Sequence, residues 1–306
     1  MTPEAFEKEF VGKIICGDCL DVMKDWPDGC VDLVLFSPPY NVAKEYAGFD
    51  DEQPWPLYYK HLEQVLRGCY RCLQKGGTIA VNVPPVIKWQ PDHKFAESWT
   101  GFDPAYKWHR GPERRIGKAR VEPIAHKLTS IMLGIDPHIR ESVVWVKGEN
   151  GNAISGRYQM GCDSDPYLRG THEVILLGSK GRWFHRGGTG RRGADAVPFM
   201  DYTKDVWFIL PEHSDYHPAT FPVELAERVI LLFTHAVDSV VLDCYAGLGT
   251  TCIAAKKLGR RFIGIDISEE YCEIARQRLE SVDTGVPVKE ARKGQASLFP
   301  IVNSKS

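Results

Sequence analysis

The sequence predicts a doubly wound α/β fold with one large sheet, and three observations lead to this prediction. Short apolar runs of strand length alternate with helical stretches along most of the 306 residues, which is typical of a sheet with helices on both faces. One apolar run, 31–35, ends at a pair of prolines that stops both ladder pairing and helix entry. Another, 240–242, leads into a glycine-rich turn, a helix and a further strand.

Apolar spacing and helix-breaking residues set the bounds of each predicted element. Helix 57–74 is expected to stop at Gly76-Gly77, and other helices start after Pro or Gly. Placing the two C-terminal strands before the N-terminal ones gives a single seven-stranded sheet in one domain. The predicted strands are 13–16, 32–36, 78–83, 142–146, 173–177, 240–242 and 261–266, and the predicted helices are 57–74, 124–133, 223–233 and 250–258.

Composition limits the classes of protein. With 38 basic and 40 acidic residues, the net charge does not indicate nucleic acid, so any such affinity must come from local patches. No apolar run is long enough to span a membrane and the N-terminus lacks a signal-peptide core, which predicts a soluble cytoplasmic protein without a membrane partner. Nine scattered cysteines indicate reduced thiols. Two pairs, Cys16/Cys19 and Cys69/Cys72, have metal-like spacing, but core packing is favoured over zinc, and no metal is predicted.

The first functional candidate is the corner Ser37-Pro38-Pro39-Tyr40 at the end of the second strand. Ser37 offers a hydroxyl, Pro38 a carbonyl and Tyr40 a flat ring, which are the groups needed to hold a planar heterocycle that carries an amino group. Asn41 is expected to steady the corner. The competing interpretation is an ordinary Pro-Pro turn after a strand.

The second candidate is the stretch 243–251, where a strand enters a Gly-x-Gly turn and a helix begins at once. The next strand ends at Asp266, about 20 residues after Gly247, as a nucleoside site requires, because the acid can accept both ribose hydroxyls. An NAD site would place a small residue where Cys252 stands. The polar pair Thr250-Thr251 also fits a ligand without pyrophosphate better. A tight turn with a solvated acid is the structural alternative.

These two stretches resemble a known family. Asp243-x-Tyr245-x-Gly247-x-Gly249-Thr250 is similar to the S-adenosylmethionine loop of amino-methylating DNA methyltransferases, and Ser37-Pro38-Pro39-Tyr40 looks like their catalytic motif. A catalytic motif that precedes the cofactor loop is the order of the beta class. The resemblance implies a Rossmann-like seven-stranded methyltransferase sheet in circularly permuted order, with S-adenosyl-L-methionine as the cofactor.

The resemblance also implies roles for single residues. Asp18 and Cys19 correspond to adenine contacts of the family, and 217–222 to its methionine-binding stretch. The implied catalytic residues are Ser37, Pro38, Pro39 and Tyr40. The implied cofactor-binding residues are Asp18, Cys19, His217, Thr220, Phe221, Asp243, Tyr245, Ala246, Gly247, Gly249, Thr250, Thr251, Asp266 and Ile267.

The implied reaction is methyl transfer to the exocyclic amino group of a base flipped out of double-stranded DNA. In the family, Ser before Pro-Pro goes mainly with cytosine N4 and Asp or Asn with adenine N6, so cytosine is favoured and adenine is kept as the alternative. Carbon methylation needs a cysteine after a proline, and no Pro-Cys step occurs. An RNA or small-molecule methyltransferase and a non-catalytic DNA-binding module remain as further alternatives.

Two basic, aromatic loops are candidates for DNA contact, and solvated charged loops are the alternative for both. The resemblance divides one domain into a catalytic half at 1–179 with a basic insertion near 84–123, a target-recognition region at 180–212, a cofactor-binding half at 213–283 and a tail at 284–306. A companion restriction endonuclease and a homodimer are further partners that it allows. The predicted DNA-contact residues are Lys107, Arg110, Arg114, Arg115, Arg182, Trp183, Arg186, Arg191 and Arg192.

Overall fold

A computed structural model describes residues 1–42, 45–46, 49–51, 53–88, 121–148, 170–182, 200–212, 221–234 and 238–284. Its helices are α1 (Pro3–Phe10), α2 (Cys19–Met23), α3 (Trp55–Cys72), α4 (Ile124–Ile135), α5 (Val223–Phe233), α6 (Thr250–Lys257) and α7 (Glu269–Thr284). Its strands are β1 (Lys13–Cys16), β2 (Val31–Phe36), β3 (Glu45–Tyr46), β4 (Phe49–Asp50), β5 (Leu73–Val83), β6 (Ile87–Lys88), β7 (Val121–Glu122), β8 (Val143–Lys147), β9 (His172–Ser179), β10 (Val206–Ile209), β11 (Val240–Asp243) and β12 (Arg261–Asp266).

Strands from both ends of the chain share one central sheet. Within the described ranges its order is β1-β12-β11-β2-β5-β9-β8-β10. Strand β9 is antiparallel to its neighbours β5 and β8, and the other pairings are parallel. The predicted α/β fold class is therefore confirmed. The sheet has eight strands rather than the predicted seven, because the short segment β10 adds itself to the edge beside β8.

Helices cover both faces of this sheet. The alternating side chains of β2 separate the two faces, because Leu33 and Leu35 pack in one apolar cluster whereas Val34 and Phe36 pack in the other. Helices α1 to α4 contribute to the cluster around Val34, and helices α5 to α7 contribute to the cluster around Leu33. The apolar clusters thus lie on two sides of a single sheet, as in a doubly wound fold.

The junction between α3 and β5 differs from the prediction. The helix ends at Cys72 and the strand begins at once with Leu73, which has extended backbone angles. The predicted helix stop, Gly76-Gly77, instead lies inside β5, where the pairing with β2 shifts register. Gly76 has a φ of 84°, and a Cβ on Gly77 would lie 2.8 Å from the backbone oxygen of Asp32. The glycines therefore permit a bulge rather than end a helix.

Several elements were not predicted from the sequence, namely α1, α2, α7, β10 and the two-residue strands. Local hydrogen bonds set the start of the first two helices. The Thr2 hydroxyl caps α1 by accepting from the Ala5 N–H, and the Asp18 carboxylate caps α2 by accepting from the Leu20 N–H. The cap at Asp18 fixes this residue at the carboxyl end of β1.

The cysteine predictions have mixed outcomes. Cys69 and Cys72 of α3 are buried in the core, which confirms core packing for that pair. Of the other pair, Cys19 is buried in the same apolar cluster, whereas Cys16 is exposed and does not pack in the core. It ends β1, where its Sγ lies 3.6 Å from the Ile267 carbonyl oxygen. None of the helices in the described ranges combines the length and apolar content that crossing a membrane requires.

Candidate active site

The carboxyl ends of β1, β2, β11 and β12 meet at one cavity of about 110 Å³. Asp18, Ser37, Asp243 and Asp266 stand at or directly after these four strand ends, and all four line the cavity. The sheet rule that carboxyl ends of parallel strands form the ligand crevice predicts this convergence, although the residues lie far apart in sequence. The predicted site residues that line the cavity are Asp18, Cys19, Ser37, Pro38, Pro39, Tyr40, Phe221, Asp243, Tyr245, Ala246, Gly247, Thr250, Asp266 and Ile267.

Two predicted cofactor residues, Gly249 and Thr251, do not line the cavity. Gly249 has a φ of 75°, and a Cβ there would lie 2.9 Å from the Ala275 Cβ on α7. The sequence pattern had assigned both glycines of the turn to close approach of a ligand. For Gly249 the close approach is instead to a neighbouring helix, whereas Gly247 does line the cavity, with a φ of 48°.

Asp243 is a deeply buried carboxyl group in the cavity wall. Its side chain accepts hydrogen bonds from the Thr251 hydroxyl at 2.6 Å and from the Tyr245 N–H at 3.0 Å. Burial raises the pKa of Asp243 to about 7, and the nearby Asp266 charge adds to this effect, while the two hydrogen bonds oppose it. Thr251 therefore contributes to the site through Asp243 and not through the cavity surface.

Asp266 ends β12 and is held by two backbone donors. One carboxylate oxygen accepts from the Gly247 N–H at 2.7 Å and the other from the Ser268 N–H at 2.9 Å. Burial raises the pKa of Asp266, and these two hydrogen bonds, together with the Ile267 N–H, act against the rise. The lone pairs that remain on the carboxylate leave it able to accept from a hydroxyl group of a ligand.

The corner after β2 is fixed by hydrogen bonds from other elements. The Ser37 hydroxyl oxygen lies 2.8 Å from the Tyr40 hydroxyl oxygen and 3.0 Å from the Asn82 carbonyl oxygen at the end of β5. The Tyr58 hydroxyl on α3 donates to the Pro39 carbonyl at 2.7 Å. The corner is therefore tied to both the sheet and a helix, which preorganises its polar groups.

Asn41 steadies the corner, as predicted. It has a φ of 58°, and its side chain exchanges hydrogen bonds with the Gln53 backbone, accepting from the N–H at 2.6 Å and donating to the carbonyl at 2.8 Å. Its own N–H donates to the buried Asp51 carboxylate at 2.7 Å. These contacts hold the chain that follows Tyr40 against the start of α3.

Several residues of this region were missed by reasoning from the sequence. His61 on α3 lines the cavity, and its Nε2 lies 3.0 Å from the Tyr245 hydroxyl oxygen. Nothing distinguished His61 from other polar residues of an amphipathic helix. Asn82 did carry a signal, because it is an amide side chain between the apolar residues Val81 and Val83 of a buried strand. Gly17, Cys244, Leu248 and Tyr271 complete the described lining.

The sequence model of the N6/N4 DNA methylase family matches residues 31–277, which include the corner, the glycine turn and all the strands between them. The chain belongs to this family. Two curated relatives of the methylase match nearly its whole length. The type II methyltransferase M.BglII of Bacillus subtilis is 27% identical over 299 residues, covering 90% of this chain and 71% of the relative. The DNA adenine methyltransferase YhdJ of Escherichia coli K12 is 26% identical over 308 residues, covering 93% and 90% respectively.

Solved structures share the fold of the methylase. TTHA0409 of Thermus thermophilus, complexed with S-adenosyl-L-methionine, has a TM-score of 0.63 at 24% identity, covering 90% of this chain and 96% of that protein. The cytosine-N4-specific PvuII DNA methyltransferase has a TM-score of 0.60 at 15% identity, covering 92% of this chain and 90% of that protein. Both are similar in fold over most of their length.

Some predicted site residues of the methylase lie outside the described residues. They are His217, Thr220, Lys107, Arg110, Arg114, Arg115, Trp183, Arg186, Arg191 and Arg192. Arg182 is described and is exposed shortly after β9. The predicted insertion near 84–123 and the region 180–212 are described only in part, so their roles in DNA contact stay predictions.

Proposed function

We propose that the protein transfers a methyl group from S-adenosyl-L-methionine to the exocyclic amino group of a flipped base in double-stranded DNA, and that this base is cytosine, methylated at N4. The single observation that carries the proposal is the shared cavity. It places the Ser37–Tyr40 corner together with the carboxylates of Asp243 and Asp266. A nucleoside-type ligand bound at the two carboxylates would therefore lie next to a planar amino-bearing base held at the corner. Group transfer between two ligands requires this proximity.

The lining fits this cofactor better than a dinucleotide. Among the described residues, the lining includes three aspartates and no lysine or arginine, so it suits a ligand with positive charge and no phosphate. We assign Asp266 to the ribose hydroxyls, and the region of Asp18, Cys19 and Ile267 to the adenine. Asp243 supports the positively charged part, because a sulfonium nearby would lower the raised pKa of this group and favour its carboxylate form. Phe221, which precedes α5, lines the same cavity and supports a methionine-binding role for the neighbouring stretch.

In the mechanism, the chain itself supplies no nucleophile. When bound, S-adenosylmethionine supplies an electrophilic methyl group on a sulfonium. Ser37 Oγ and the Pro38 carbonyl accept hydrogens of the target amino group, which keeps the nitrogen lone pair directed toward the methyl carbon. As the nitrogen–carbon bond forms, the carbon–sulfur electron pair stays on sulfur, and one amino hydrogen leaves as a proton to solvent. Flipping the base out of the duplex costs roughly a few kcal/mol. Stacking of the flipped base on the Tyr40 ring offsets part of this cost.

The target base is proposed from Ser37 and from the relatives. Ser37 before the two prolines favours cytosine N4, and the fold similarity to the cytosine-N4-specific PvuII enzyme is compatible with it. Adenine N6 is the second candidate, because the adenine methyltransferase YhdJ is similar over 93% of the chain. A hydroxyl acceptor can bind the amino group of either base, so the methylated nucleoside must be identified to choose between cytosine and adenine.

The proposed division of the chain follows from the same arrangement. We propose that 1–179 and 213–283 are two halves of one domain, that 180–212 reads the DNA sequence, and that exposed Arg182 contributes to phosphate contact. A companion restriction endonuclease and a homodimer stay predictions from the family.

The experiment is to incubate unmethylated DNA of varied sequence with the protein and S-adenosylmethionine, digest it to nucleosides and weigh them by mass spectrometry. The proposal expects N4-methylcytosine. N6-methyladenine would keep the site and the mechanism and overturn the choice of base. Neither product, together with no binding of S-adenosylmethionine by calorimetry, would overturn the enzymatic function.

A further inference from the structure

A buried ion pair lies behind the catalytic corner. Glu173 at the start of β9 is only 9% exposed, and its Oε1 accepts a hydrogen bond from Lys147 Nζ on β8 at 2.6 Å. Its Oε2 accepts from Asn82 Nδ2 on β5 at 2.6 Å and from the Tyr40 hydroxyl at 3.1 Å. The carboxylate thus joins three strands of the sheet to the aromatic residue of the corner, and the proposed mechanism gives it no role.

The donor in each contact follows from the chemistry of the groups. A carboxylate can only accept, so the contact between Tyr40 and Glu173 needs the phenolic hydrogen. Hydrogen bonds to an ionised acceptor are about twice as strong as bonds between neutral groups. The Tyr40 hydroxyl therefore donates to Glu173 and not to Ser37. The Ser37 hydroxyl then donates either to Tyr40 Oη at 2.8 Å or to the Asn82 carbonyl at 3.0 Å.

Resting on the proposed function, we propose that Glu173 is a positioning residue for methyl transfer. It draws the Tyr40 hydroxyl hydrogen away from Ser37, so that Ser37 Oγ meets the target amino group with its lone pairs available. When Ser37 donates to Tyr40 Oη, the hydrogen bonds from Ser37 through Tyr40 to Glu173 all point in one direction, and such aligned hydrogen bonds polarise one another. Ser37 becomes a stronger acceptor for the amino hydrogen than an isolated hydroxyl.

The isosteric change Glu173→Gln should reverse the direction of the hydrogen bond between Ser37 and Tyr40. Lys147 can only donate, so the amide oxygen must face it, and the amide nitrogen then faces both Tyr40 and Asn82. The Asn82 amide must turn over, so that its oxygen, which has no hydrogen-bond partner in the described structure, accepts from this nitrogen. Tyr40 accepts from that nitrogen and turns its own hydrogen onto Ser37. The expected result is a fall in kcat of about tenfold to hundredfold, with the Kd for S-adenosylmethionine changed by less than about twofold.

Glu122 provides a matched control. It is 4% exposed, and its carboxylate also accepts from a tyrosine hydroxyl, that of Tyr59 at 2.8 Å, and from a lysine, Lys127 at 2.6 Å. It does not line the cavity. The Lys127 side chain is 44% exposed, against 19% for Lys147, so Glu122→Gln should lower the thermal stability by a similar or smaller amount and leave kcat unchanged. This separates the loss of a buried carboxylate from the effect on Ser37.

The closing experiment is a double-mutant cycle with Tyr40→Phe, measured as single-turnover formation of the methylated nucleoside. Because Glu173 acts through the Tyr40 hydroxyl, E173Q should slow the wild-type enzyme and add less than about threefold to the effect of Y40F. If E173Q does not fold, the double variant E173M/K147M replaces the ion pair with apolar groups of similar size and should show the same loss of kcat with cofactor binding retained.

The outcomes separate the two proposals. An equal effect of E173Q in both backgrounds, or equal kcat for E173Q and the wild type, would overturn the role of Glu173 alone. A wild-type protein that forms no methylated nucleoside would overturn the proposed function, and this inference with it.

Discussion

Asp243 combines a position in the cavity wall with 2% exposure, and this has a consequence for stability. Its pKa is raised from 3.8 to about 7 in the folded protein, so between these values the folded state holds a proton that the unfolded chain releases. The free energy of unfolding therefore falls as pH rises through this range, by up to about 1.4 kcal/mol per pH unit from this group. Above about pH 7 the buried Asp243 carboxyl is ionised in the folded protein, and the full cost of burying its charge lowers the free energy of unfolding.

Asp243→Asn should remove this penalty. The amide keeps an oxygen for the Tyr245 N–H and can donate to Thr251, so the geometry is preserved. Urea unfolding at about pH 5 and about pH 8 is expected to show the variant gaining stability relative to the wild type as pH rises. A difference between the two proteins that stays constant over this range would contradict the raised pKa.

Substitutions of Asp266 and of Tyr40 should weaken the binding of different ligands. Asp266→Ala removes the proposed acceptor for ribose hydroxyls and is expected to weaken S-adenosylmethionine binding by about tenfold to hundredfold. Tyr40→Ala removes the stacking face, so it should raise KM for DNA and spare cofactor affinity. Calorimetric titration of the cofactor and steady-state kinetics with DNA measure the two effects. An equal loss of cofactor affinity in both variants would contradict the assignment of these residues.

At the scale of elements, the bulge at the start of β5 depends on Gly77. A Cβ there would lie 2.8 Å from the Asp32 carbonyl oxygen and 3.0 Å from the Gln74 carbonyl oxygen, and neither backbone atom can move cheaply. Gly77→Ala should cost about 1–3 kcal/mol of the free energy of unfolding. Gly134 in α4 has no atom within 4 Å of such a Cβ, so Gly134→Ala should instead add about 0.5–1 kcal/mol. Equal effects in chemical denaturation would show that the bulge tolerates a side chain.

Local sequence signals set the bounds of some elements. Helix α5 and strand β12 have the bounds that their apolar runs and breakers predict, because these signals are local. The convergence of Ser37 with Asp266 was predictable as well, since carboxyl ends of parallel strands share one edge.

What the sequence could not supply are contacts set by register and packing. Asn82 meets Glu173 only because β5 and β9 pair antiparallel with Asn82 opposite Ile175, and 91 positions separate the two residues. The approach of Gly249 to Ala275 likewise depends on how α7 packs beside α6. Neither contact produces a local sequence pattern. Gly249, which allows two helices to pack closely, therefore could not be distinguished from a glycine that allows a ligand to approach.

At the scale of the whole molecule, the sheet interleaves the two ends of the chain. Strands β11 and β12 lie between β1 and β2, so residues of both proposed halves form one hydrogen-bonded ladder and one cavity. Binding of S-adenosylmethionine to this cavity should therefore stabilise the described sheet as one unit. At a concentration about 100-fold above its Kd, the cofactor should add about 2.7 kcal/mol to the free energy of unfolding.

Differential scanning calorimetry with and without S-adenosylmethionine checks this expectation. One transition should move upward with cofactor, and Asp266→Ala should reduce the gain to about 0.4–1.4 kcal/mol at the same concentration, because its Kd is expected to rise tenfold to hundredfold. Two independent domains would behave differently, since only the transition of the domain that holds the cofactor would move. Two separate transitions, of which one stays fixed, would thus contradict the single-domain interpretation. A single transition that moves would show that the strand order couples the catalytic corner to the cofactor loop.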